Sequence, residues 1–583
     1  MNKKILRREI PANSPVFAGN VLPLLQRVYR ARGLTDNSQL HNQLGQMHRP
    51  SAFLGMEEAV NLLADTVEAQ QRVLIVGDFD ADGATSSALA VLALRALGLQ
   101  QVDFLVPNRF EFGYGLTPEI VTVARERHPD LIITVDNGIS SIEGVAAAKE
   151  AGIKVVVTDH HLPAEQLPEA DAIVNPNQHG CPFPSKNLAG VGVIFYVMSR
   201  LRGALRDRGW FERQQLAEPN MASFLDLVAL GTVADVVPLD HNNRILVHQG
   251  LQRIRAGQSR PGILALLEVA GRPRNRLVAS DLGFTVGPRL NAAGRLDDMS
   301  LGIQCLLCDS QHLAREMAAE LDDLNRDRKA IESSMQTEAL ATLKQLALPG
   351  EGSESGVDLP WGLCLYDGSW HQGVIGILAS RIKDRYHRPV IAFADASDAE
   401  IKGSARSIPG LHIRDALDAV AAKHPGLLTK FGGHAMAAGM SLDKNRFDDF
   451  AKAFDEVVRS QLKPTDLQAT VLSDGALSAA EFSLEVAEQL REGGPWGQHF
   501  PEPVFDGEFY LVQQCIVGEK HLKLVLALDE QGRELIDAIA FNIDLELWPN
   551  PQAQKARLAY RLDINEFRGR QSVQLIVEYI EAL

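Results

Sequence analysis

The sequence predicts an α/β protein, and three observations lead to that prediction. Between residues 71 and 240, apolar runs that end in acidic residues alternate with helical segments, which is typical of a parallel sheet. A single long helical pattern then precedes a break rich in Gly, Ser and Pro, after which strands and helices alternate again. From residue 465 onward, short alternating runs separated by turns indicate a small β-barrel. A chain of 583 residues exceeds the usual size of one domain.

Composition restricts the class of protein. Hydrophobic residues make up 45% of the chain and charged residues 23%, which is ordinary for a globular protein outside the membrane. No apolar run reaches the roughly 18 residues of a membrane span. The N-terminal MNKKILRREIP is basic but is not followed by an apolar region, so we expect no secretory signal. Five cysteines, an odd number, favour a reducing compartment, and we therefore expect the protein in the cytoplasm.

The net charge bears on nucleic-acid partners. A value of −16 argues against a protein that coats nucleic acid through its overall charge. Part of the acidity belongs to the candidate metal site described below, which bound cations would offset. A local basic track would still be sufficient for a threaded single strand.

Five segments follow one another along the chain. The first is mostly helical, because MEEAVNLLADTVEAQ has apolar residues at helical spacing. The long helix, which begins at SQHLAREMAAEL, has charges on one face and apolar residues on the other, as in a helix that connects or braces domains. The segments are the helical lead-in (1–70), the first α/β domain (71–240), a helical section with the long connecting helix (241–350), the second α/β domain (355–462) and the barrel (465–583).

The first α/β domain contains three buried strands. Val73–Val76 forms an apolar run before a helix rich in Ala and Leu, and DLIITV and IKVVV form two further runs. The segment ISSIEGVAAAKEAG lies between the last two runs and reads as a helix ending at Gly152. Strand, helix and strand make a βαβ unit, so we expect the strands to be parallel.

Acidic residues and histidines follow these strands at their carboxyl ends, where parallel sheets bind ligands. Several carboxylates close together repel one another unless a cation is present, and Mg²⁺ and Mn²⁺ prefer carboxylate oxygen. Any one of these Asp residues could instead cap a helix, and an adjacent His pair could be structural. Their recurrence at three successive strand ends favours a metal centre. The residues are Asp78, Asp80 and Asp82 after the first strand, Asp136 after the second, Asp159, His160 and His161 after the third, and Asp235 in a later apolar stretch.

Seven motifs carry a resemblance to a known family. GDFDADG, TVDNG, TDHH and ALGTVADVVPL, in this order, resemble the four motifs of the DHH phosphoesterase superfamily. GPRLNAAGRLDD, IKGSARS and FGGHAMAAG resemble later signatures of its RecJ branch, the single-stranded-DNA-specific exonucleases. The resemblance runs from about Val73 to Leu583. It implies a parallel-sheet DHH catalytic domain, a DHH-associated substrate-binding domain joined to it by the long helix, and a C-terminal OB-like barrel that binds single strands.

The resemblance also implies roles in the metal centre. It assigns Asp136 as the ligand that bridges two ions, Asp159 as the partner that orients a histidine, and His161 as the group that faces the scissile phosphate. Other branches carry a histidine four residues before Asp80, where this chain has Val76, so the role of Asp78 is left open. The implied metal ligands are Asp80, Asp82, Asp136, His160 and Asp235, with Asp78 as a further candidate.

For the substrate, the resemblance implies a pocket for a 5′-phosphate made by Arg109, Ser404 and Arg406. Arg109 could equally be an ordinary surface charge. His434 belongs to the motif that faces the substrate, although the glycines around it could serve tight packing. The candidates for further backbone or base contacts, with helix capping as the alternative, are Arg289, Asn291 and Arg295.

The function implied is 5′→3′ hydrolysis of single-stranded DNA to mononucleotides with two Mn²⁺ or Mg²⁺ ions, in recombination and repair. The implied partners are single-stranded DNA, a single-stranded-DNA-binding protein and a repair helicase, with a monomeric chain and no membrane contact. Three alternatives remain open at this point. The chain could be a phosphatase for small substrates, a scaffold without catalysis, or a strand-binding module in which the metal is structural.

Overall fold

The computed structural model describes residues 3–19, 21–108, 114–346, 359–545 and 547–583. Within these ranges, no helix has the length and apolar character needed to cross a membrane. The strands are β1 (Lys4–Arg7), β2 (Val73–Gly77), β3 (Val102–Leu105), β4 (Leu131–Val135), β5 (Lys154–Thr158), β6 (Ala172–Val174), β7 (Leu363–Tyr366), β8 (Val390–Asp395), β9 (Glu400–Arg406), β10 (Lys430–Gly433), β11 (Ala437–Asp443), β12 (Thr470–Ser473), β13 (Phe505–Val517), β14 (His521–Ala527), β15 (Leu535–Ala540), β16 (Lys555–Phe567) and β17 (Arg570–Ala582).

The helices include one π-helical stretch, Leu282–Val286, which runs into α12. The α-helices are α1 (Pro23–Ala31), α2 (Met56–Glu68), α3 (Ala81–Ala96), α4 (Pro118–Arg125), α5 (Ile142–Glu150), α6 (Gly190–Asp207), α7 (Trp210–Gln214), α8 (Leu225–Ala234), α9 (His241–Arg255), α10 (Pro261–Val269), α11 (Ala279–Asp281), α12 (Gly287–Leu296), α13 (Ser300–Leu307), α14 (Gln311–Leu346), α15 (Ile375–Tyr386), α16 (Ile413–Lys423), α17 (Phe447–Gln461) and α18 (Leu484–Glu492).

The first sheet is parallel throughout and has the order β3-β2-β4-β5-β6, which confirms the prediction for this domain. Its central strands are apolar without alternation because both faces are covered. Ile75 and Ile133 belong to a core with α2, α3 and α6, whereas Leu74 and Ile132 belong to a core with α4 and α5. The helix predicted to end at Gly152 ends at Glu150, and Gly152 follows in the left-handed region.

The strand order changes direction between β2 and β4. The chain passes from β2 to β3 at one edge and then returns, so β4, β5 and β6 extend the sheet on the other side of β2. The connections after β2 and β4 therefore leave on opposite sides, which opens a crevice beyond the carboxyl ends of these two strands. The acidic residues of the first two strand ends flank this crevice.

The N-terminal segment contains α1 and α2, as expected of a mostly helical lead-in, together with a strand that the sequence analysis did not include. This strand, β1, pairs in parallel with β12. Arg7 and Arg32 reinforce this connection through ion pairs with Asp506 and Asp474. The sequence pattern did not indicate β1 because β12, with which it pairs, lies more than 460 residues away along the chain.

Helix α14 is the long connecting helix that the sequence predicted. Its first half packs against α10, α12 and α13 of the helical section. In its second half, Met335, Ala339 and Leu343 join the core formed by β7, β8 and α15. One helix therefore belongs to the cores of two domains and joins them mechanically.

The second α/β domain has a mixed sheet of order β10-β11-β9-β8-β7. Only β7 and β8 are parallel, and the remaining pairs are antiparallel. Helices α16 and α17 cover one face, while α15 covers β8 and β9 on the other. The side chains of Ser404 and Arg406 on β9 lie at the start of α15.

The C-terminal strands close into a five-stranded barrel of order β13-β14-β15-β17-β16. The barrel core is continuous with the core of the first domain. Tyr29 of α1 stacks on Trp496 and Phe500, which lie between α18 and the barrel. The predicted barrel is thus confirmed, and it packs on the rest of the chain through aromatic rings.

Candidate metal centre and substrate pocket

The loop between β2 and α3 brings three carboxylates to the crevice. Asp80 is the N-cap of α3, where its side chain accepts hydrogen bonds from the backbone N–H of Asp82 (2.9 Å) and of Gly83 (3.0 Å). A Cβ at Gly83 would lie 2.4 Å from the backbone oxygen of Asp78, so only glycine fits there. The sequence GDFDADG folds this way because Asp80 caps the helix and Gly83 allows the backbone of Asp78 to approach closely.

Asp82 is buried against the start of another helix. Its two carboxylate oxygens accept hydrogen bonds from the backbone N–H groups of Gly190 (2.6 Å) and Val191 (3.0 Å) at the N-terminus of α6. A helix N-terminus stabilises an anion. Burial and the neighbouring Asp80 nevertheless raise the pKa of Asp82 to about 7. The protein alone therefore stabilises this charge only in part.

Asp136 follows β4 in a left-handed conformation, with φ of 62°. Such a conformation is uncommon for a residue other than glycine and marks a constrained site. The next residue, Asn137, donates from its side-chain amide to the carbonyl oxygens of Val76 (3.0 Å) and Val135 (2.9 Å). Asn137 therefore clamps the ends of β2 and β4 together, which fixes Asp136 beside the loop that follows β2.

The turn after β5 orders two histidines around Asp159. This buried carboxylate accepts from the backbone N–H of Ile139 (2.9 Å), His160 (2.7 Å) and His161 (3.1 Å). It also lies 2.7 Å from His161 Nδ1. Burial alone would lower the pKa of His161, but the hydrogen bond and charge of Asp159 outweigh burial and raise that pKa to about 9. The oxygens of Asp159 are thus fully occupied in orienting the turn.

Two asparagines that the sequence analysis did not single out also hold this turn. Asn175 donates to the carbonyl oxygen of His161 (2.9 Å), and Asn177 donates to that of His160 (2.6 Å). Both follow β6 in the sequence VNPNQ. An Asn-Pro-Asn sequence at the carboxyl end of a strand was a signal that could have identified them.

The potential metal ligands converge in overlapping groups. Donor atoms within 4.8 Å of one another are supplied by Asp82, His160 and Asp235 in one group, by Asp78, Asp80 and Asp136 in a second, and by Asp136, His160 and His161 in a third. His160 Nε2 lies 3.1 Å from Asp136 Oδ1 and 3.5 Å from Asp235 Oδ2. The third group therefore connects the first two, because it shares His160 with the first and Asp136 with the second.

Three of these donor atoms lack a hydrogen-bond partner and are suited to binding a cation. Asp136 Oδ1, His160 Nε2 and Asp235 Oδ2 are buried and make no hydrogen bond within the described ranges. Burial lowers the pKa of His160 to about 4, so its ring is neutral. Burial and neighbouring carboxylates raise the pKa values of Asp136 and Asp235 well above the usual range. The lone pair of the neutral His160 ring and the closely spaced carboxylate oxygens of Asp136 and Asp235 match the ligands that a divalent cation prefers.

Tyr114 is a further residue at the site that the sequence analysis did not identify. Its hydroxyl donates to the backbone oxygen of Asp136 (3.1 Å) and lies 3.2 Å from His161 Nδ1. Burial and the surrounding carboxylates, Asp159 first among them, raise the pKa of Tyr114, so the hydroxyl stays protonated. It can therefore serve as a hydrogen-bond donor beside the metal ligands.

His434 brings the second α/β domain to the same place. Its ring stacks on that of His161, with centroids 6.4 Å apart and planes inclined by 21°. Burial, and secondarily the charge of His161, lower the pKa of His434. The loop between β10 and β11, which carries His434, therefore lies against the crevice of the first domain.

A polar cluster of Ser404 and Arg406, which we propose below as a pocket, lies beside α15. Arg406 donates to the side-chain oxygen of Ser404 (3.1 Å) and to the carbonyl oxygen of Ala405 (2.7 Å). Burial lowers the pKa of Arg406, and no carboxylate forms an ion pair with it in the part of the chain that the structure describes. A Cβ at Gly376, in the first turn of α15, would lie 2.8 Å from Arg406 Nη2. A half-buried guanidinium at a helix N-terminus is suited to an anionic group.

The three remaining substrate candidates contact the protein itself. Arg289 pairs with Asp322 of α14 (2.8 Å), so its guanidinium braces two helices. Asn291 accepts a hydrogen bond from the backbone N–H of Ala81 (2.8 Å), and Arg295 donates to the carbonyl oxygen of Gly373 (3.0 Å). The fourth candidate, Arg109, lies outside the described residues.

Comparison with known proteins places the chain among three domain families. Residues 72–232 match the DHH family, N-terminal domain, residues 362–460 match the DHHA1 domain, and residues 473–579 match the RecJ OB domain. The closed barrel is therefore an OB domain, and the second α/β unit is a DHHA1 domain.

Curated relatives and solved structures agree with this assignment. The single-stranded-DNA-specific exonuclease RecJ of Salmonella typhimurium is 57% identical over 98% of this chain and 97% of its own length. RecJ of Escherichia coli is 56% identical over 99% of both chains. The crystal structure of RecJ in complex with Mn²⁺ from Thermus thermophilus has a TM-score of 0.77 at 28% identity, over 96% of this chain and 76% of that one.

Proposed function

Because the chain belongs to the RecJ family of single-stranded-DNA-specific exonucleases, we propose that it hydrolyses single-stranded DNA from the 5′ end to mononucleotides. The observation that carries the proposal is the convergence of buried carboxylates and a neutral histidine on one crevice, beside a second pocket suited to an anion. The crevice can hold the cations that phosphodiester hydrolysis uses, and the pocket beside α15 can hold a terminal phosphate.

The cofactors in this proposal are two divalent ions, Mn²⁺ or Mg²⁺. Structures of relatives have been solved with each of these ions. When bound, two such ions activate water and stabilise the leaving oxygen of a phosphodiester. The chain would hold them with Asp78, Asp80, Asp82, Asp136, His160 and Asp235, and Asp136 is placed to serve both ions because it lies beside His160 as well as Asp78 and Asp80.

The neighbouring side chains orient the substrate and handle its charge. Asp159 fixes the tautomer and position of His161. A protonated His161, with its pKa raised to about 9, would donate to an oxygen of the scissile phosphate. The Tyr114 hydroxyl donates to the backbone oxygen of Asp136 and lies 3.2 Å from His161 Nδ1, so it would help to position both residues. His434 would contact the nucleotide from the opposite side.

We propose that Ser404 and Arg406 bind the 5′-phosphate, and the sequence adds Arg109 to this pocket. Arg406 favours this role because burial lowers its pKa and the described residues supply it with no carboxylate. A dianionic phosphate would compensate that charge with bidentate hydrogen bonds. The start of α15 would add backbone N–H groups.

The OB domain supports binding of the rest of the strand. In the proposed function the two α/β domains clamp the strand, and a narrow passage excludes duplex DNA without reading its sequence. We propose that the protein acts as a monomer in the cytoplasm, in DNA recombination and repair. The partners proposed with it are a single-stranded-DNA-binding protein and a repair helicase, since each would supply single-stranded substrate.

A nuclease assay on single strands labelled at either end tests the proposal. With Mn²⁺ or Mg²⁺ we expect mononucleotides to be released first from the 5′ end, with blunt duplex spared and chelator abolishing the reaction. Asp136→Ala serves as the inactive control. Turnover of dinucleotides or pyrophosphate without degradation of long strands would contradict the proposal and assign the site to a small-substrate phosphatase. Binding of single strands without any metal-dependent turnover would also contradict it.

A further inference from the structure

Helix α12 rests directly on the loop that carries the first three carboxylates. The side-chain oxygen of Asn291 accepts a hydrogen bond from the backbone N–H of Ala81 (2.8 Å), between Asp80 and Asp82. One turn later, a Cβ at Gly294 would lie only 1.8 Å from the backbone oxygen of Phe79. The backbone of α12 therefore touches the backbone of the metal-binding loop, with no side chain between them.

The other side of α12 touches the segment that leads into the phosphate pocket. Arg295 donates from Nη1 to the carbonyl oxygen of Gly373 (3.0 Å). A Cβ at Gly373 would lie 2.5 Å from the backbone oxygen of Arg295. Three residues later, a Cβ at Gly376 would lie 2.9 Å from Ser404 Oγ and 2.8 Å from Arg406 Nη2. Close contacts therefore continue from α12 to the two side chains of the pocket.

These contacts make a short and stiff connection between the two pockets. Packed interiors transmit displacement because they have little free volume, and contacts without a Cβ leave even less. Helix α14 also joins the two domains through their cores, but among the described residues its hydrogen bonds and ion pairs reach neither the loop after β2 nor Gly373. Its pair of Glu332 with Arg381 lies within the second domain.

We infer that Asn291, Gly294 and Arg295 form a spacer that sets the distance from the 5′-phosphate pocket to the metal centre. The inference rests on the proposed function, because it assumes that the two pockets hold one strand. With this distance fixed, only the phosphodiester after the first nucleotide reaches the metal centre, and each cycle releases one nucleotide. The three residues act as positioning residues through the metal-binding loop and Gly373, without contacting the reacting atoms.

The size of the products tests this inference. We expect Arg295→Ala to loosen the spacer, so that dinucleotides appear among the products of a uniformly labelled, 5′-phosphorylated strand. Displacement of about 1 Å at a reacting centre can cost on the order of 100-fold in rate, so the rate of mononucleotide release should fall as well. Arg295→Lys keeps the charge and part of the reach, and we expect it to give fewer dinucleotides than Arg295→Ala.

The matched control is Arg381→Ala, which removes an ion pair between α15 and α14 without touching α12. We expect this variant to release mononucleotides only. Thermal unfolding of each variant checks that it is folded. A folded Arg295→Ala enzyme that releases only mononucleotides, at any rate, would overturn the inference while leaving the proposed function intact, as would an Arg295→Lys enzyme that releases more dinucleotides than Arg295→Ala. Failure of the proposed function would appear in the wild-type reaction, as the absence of metal-dependent products from long strands.

Discussion

Replacement of Asp235 with Asn should stabilise the metal-free protein although it removes a proposed metal ligand. The donor oxygens of Asp235 and Asp82 lie within 4.8 Å of each other, where two unit charges repel by about 3.5 kcal/mol at an effective dielectric constant of about 20. Burial, followed by the charges of Asp82 and Asp80, raises the pKa of Asp235, so protonation already relieves part of this repulsion near pH 7. We therefore expect a gain of about 1–2 kcal/mol, or about 1–2 °C in the midpoint of thermal unfolding of the 583-residue chain.

Calorimetry in the presence of a chelator measures this effect, and Asp226→Asn is its matched control. Asp226 lies at the other end of α8 and is also buried, but it pairs with Arg260 and accepts from Ser259 Oγ (3.0 Å). Loss of that charge leaves an unpaired guanidinium and should cost about 3–5 kcal/mol. Mn²⁺ should raise the midpoint of the wild type more than that of Asp235→Asn. If Asp235→Asn lowers the chelated midpoint as Asp226→Asn does, the carboxylates do not repel one another as argued.

Three further predictions concern the same two pockets. Asp136→Ala should abolish hydrolysis, by about 1,000-fold or more, with an unchanged circular dichroism spectrum, because it removes a proposed ligand that also contacts His160 of the other group. Retained turnover in the folded variant would contradict the metal assignment. Arg406→Ala should slow degradation of 5′-phosphorylated strands by about 10-fold or more, since an ionic hydrogen bond contributes about 1.5–3 kcal/mol. Degradation of 5′-hydroxyl strands should slow much less. Equal slowing of both would contradict the assignment of Arg406 to the phosphate pocket. In chelator, the free energy of unfolding should fall as pH rises from about 5 to about 8. The folded state, with the pKa of Asp82 raised to about 7, retains protons that the unfolded state releases near pH 4. A fall of the same size in saturating Mn²⁺ would show that the metal ligands are not its source.

Much of the architecture could be predicted from the sequence because its signals are local. Continuous apolar runs that end in Asp are specific for buried parallel strands, and β2, β4 and β5 lie where those runs predicted them. Helix α14 was predictable because its amphipathic pattern continues without a break. Strand β1 was not predictable, because four residues acquire strand geometry only through pairing with β12.

The candidate site residues that the sequence could indicate are those marked by their neighbours in the chain. Residues whose role depends on contacts across the fold could not be predicted. Asp80, Asp136 and His160 were singled out because each ends or follows an apolar run, and the structure brings them into one crevice. Tyr114 and Asn177 were missed because their roles depend on contacts across the fold, although the Asn-Pro-Asn sequence offered a hint for Asn177. No sequence pattern could show that the α12 spacer touches two pockets.

Anomalous diffraction from crystals grown with Mn²⁺ measures the metal content of the crevice most directly. Two peaks are predicted for each chain, one among Asp82, His160 and Asp235 and one among Asp78, Asp80 and Asp136. Asp136→Asn should weaken both peaks, because Asp136 belongs to the second group and lies 3.1 Å from His160 of the first. A single peak, or peaks that leave Asp136 without contact to either ion, would contradict a centre of two ions bridged by this residue.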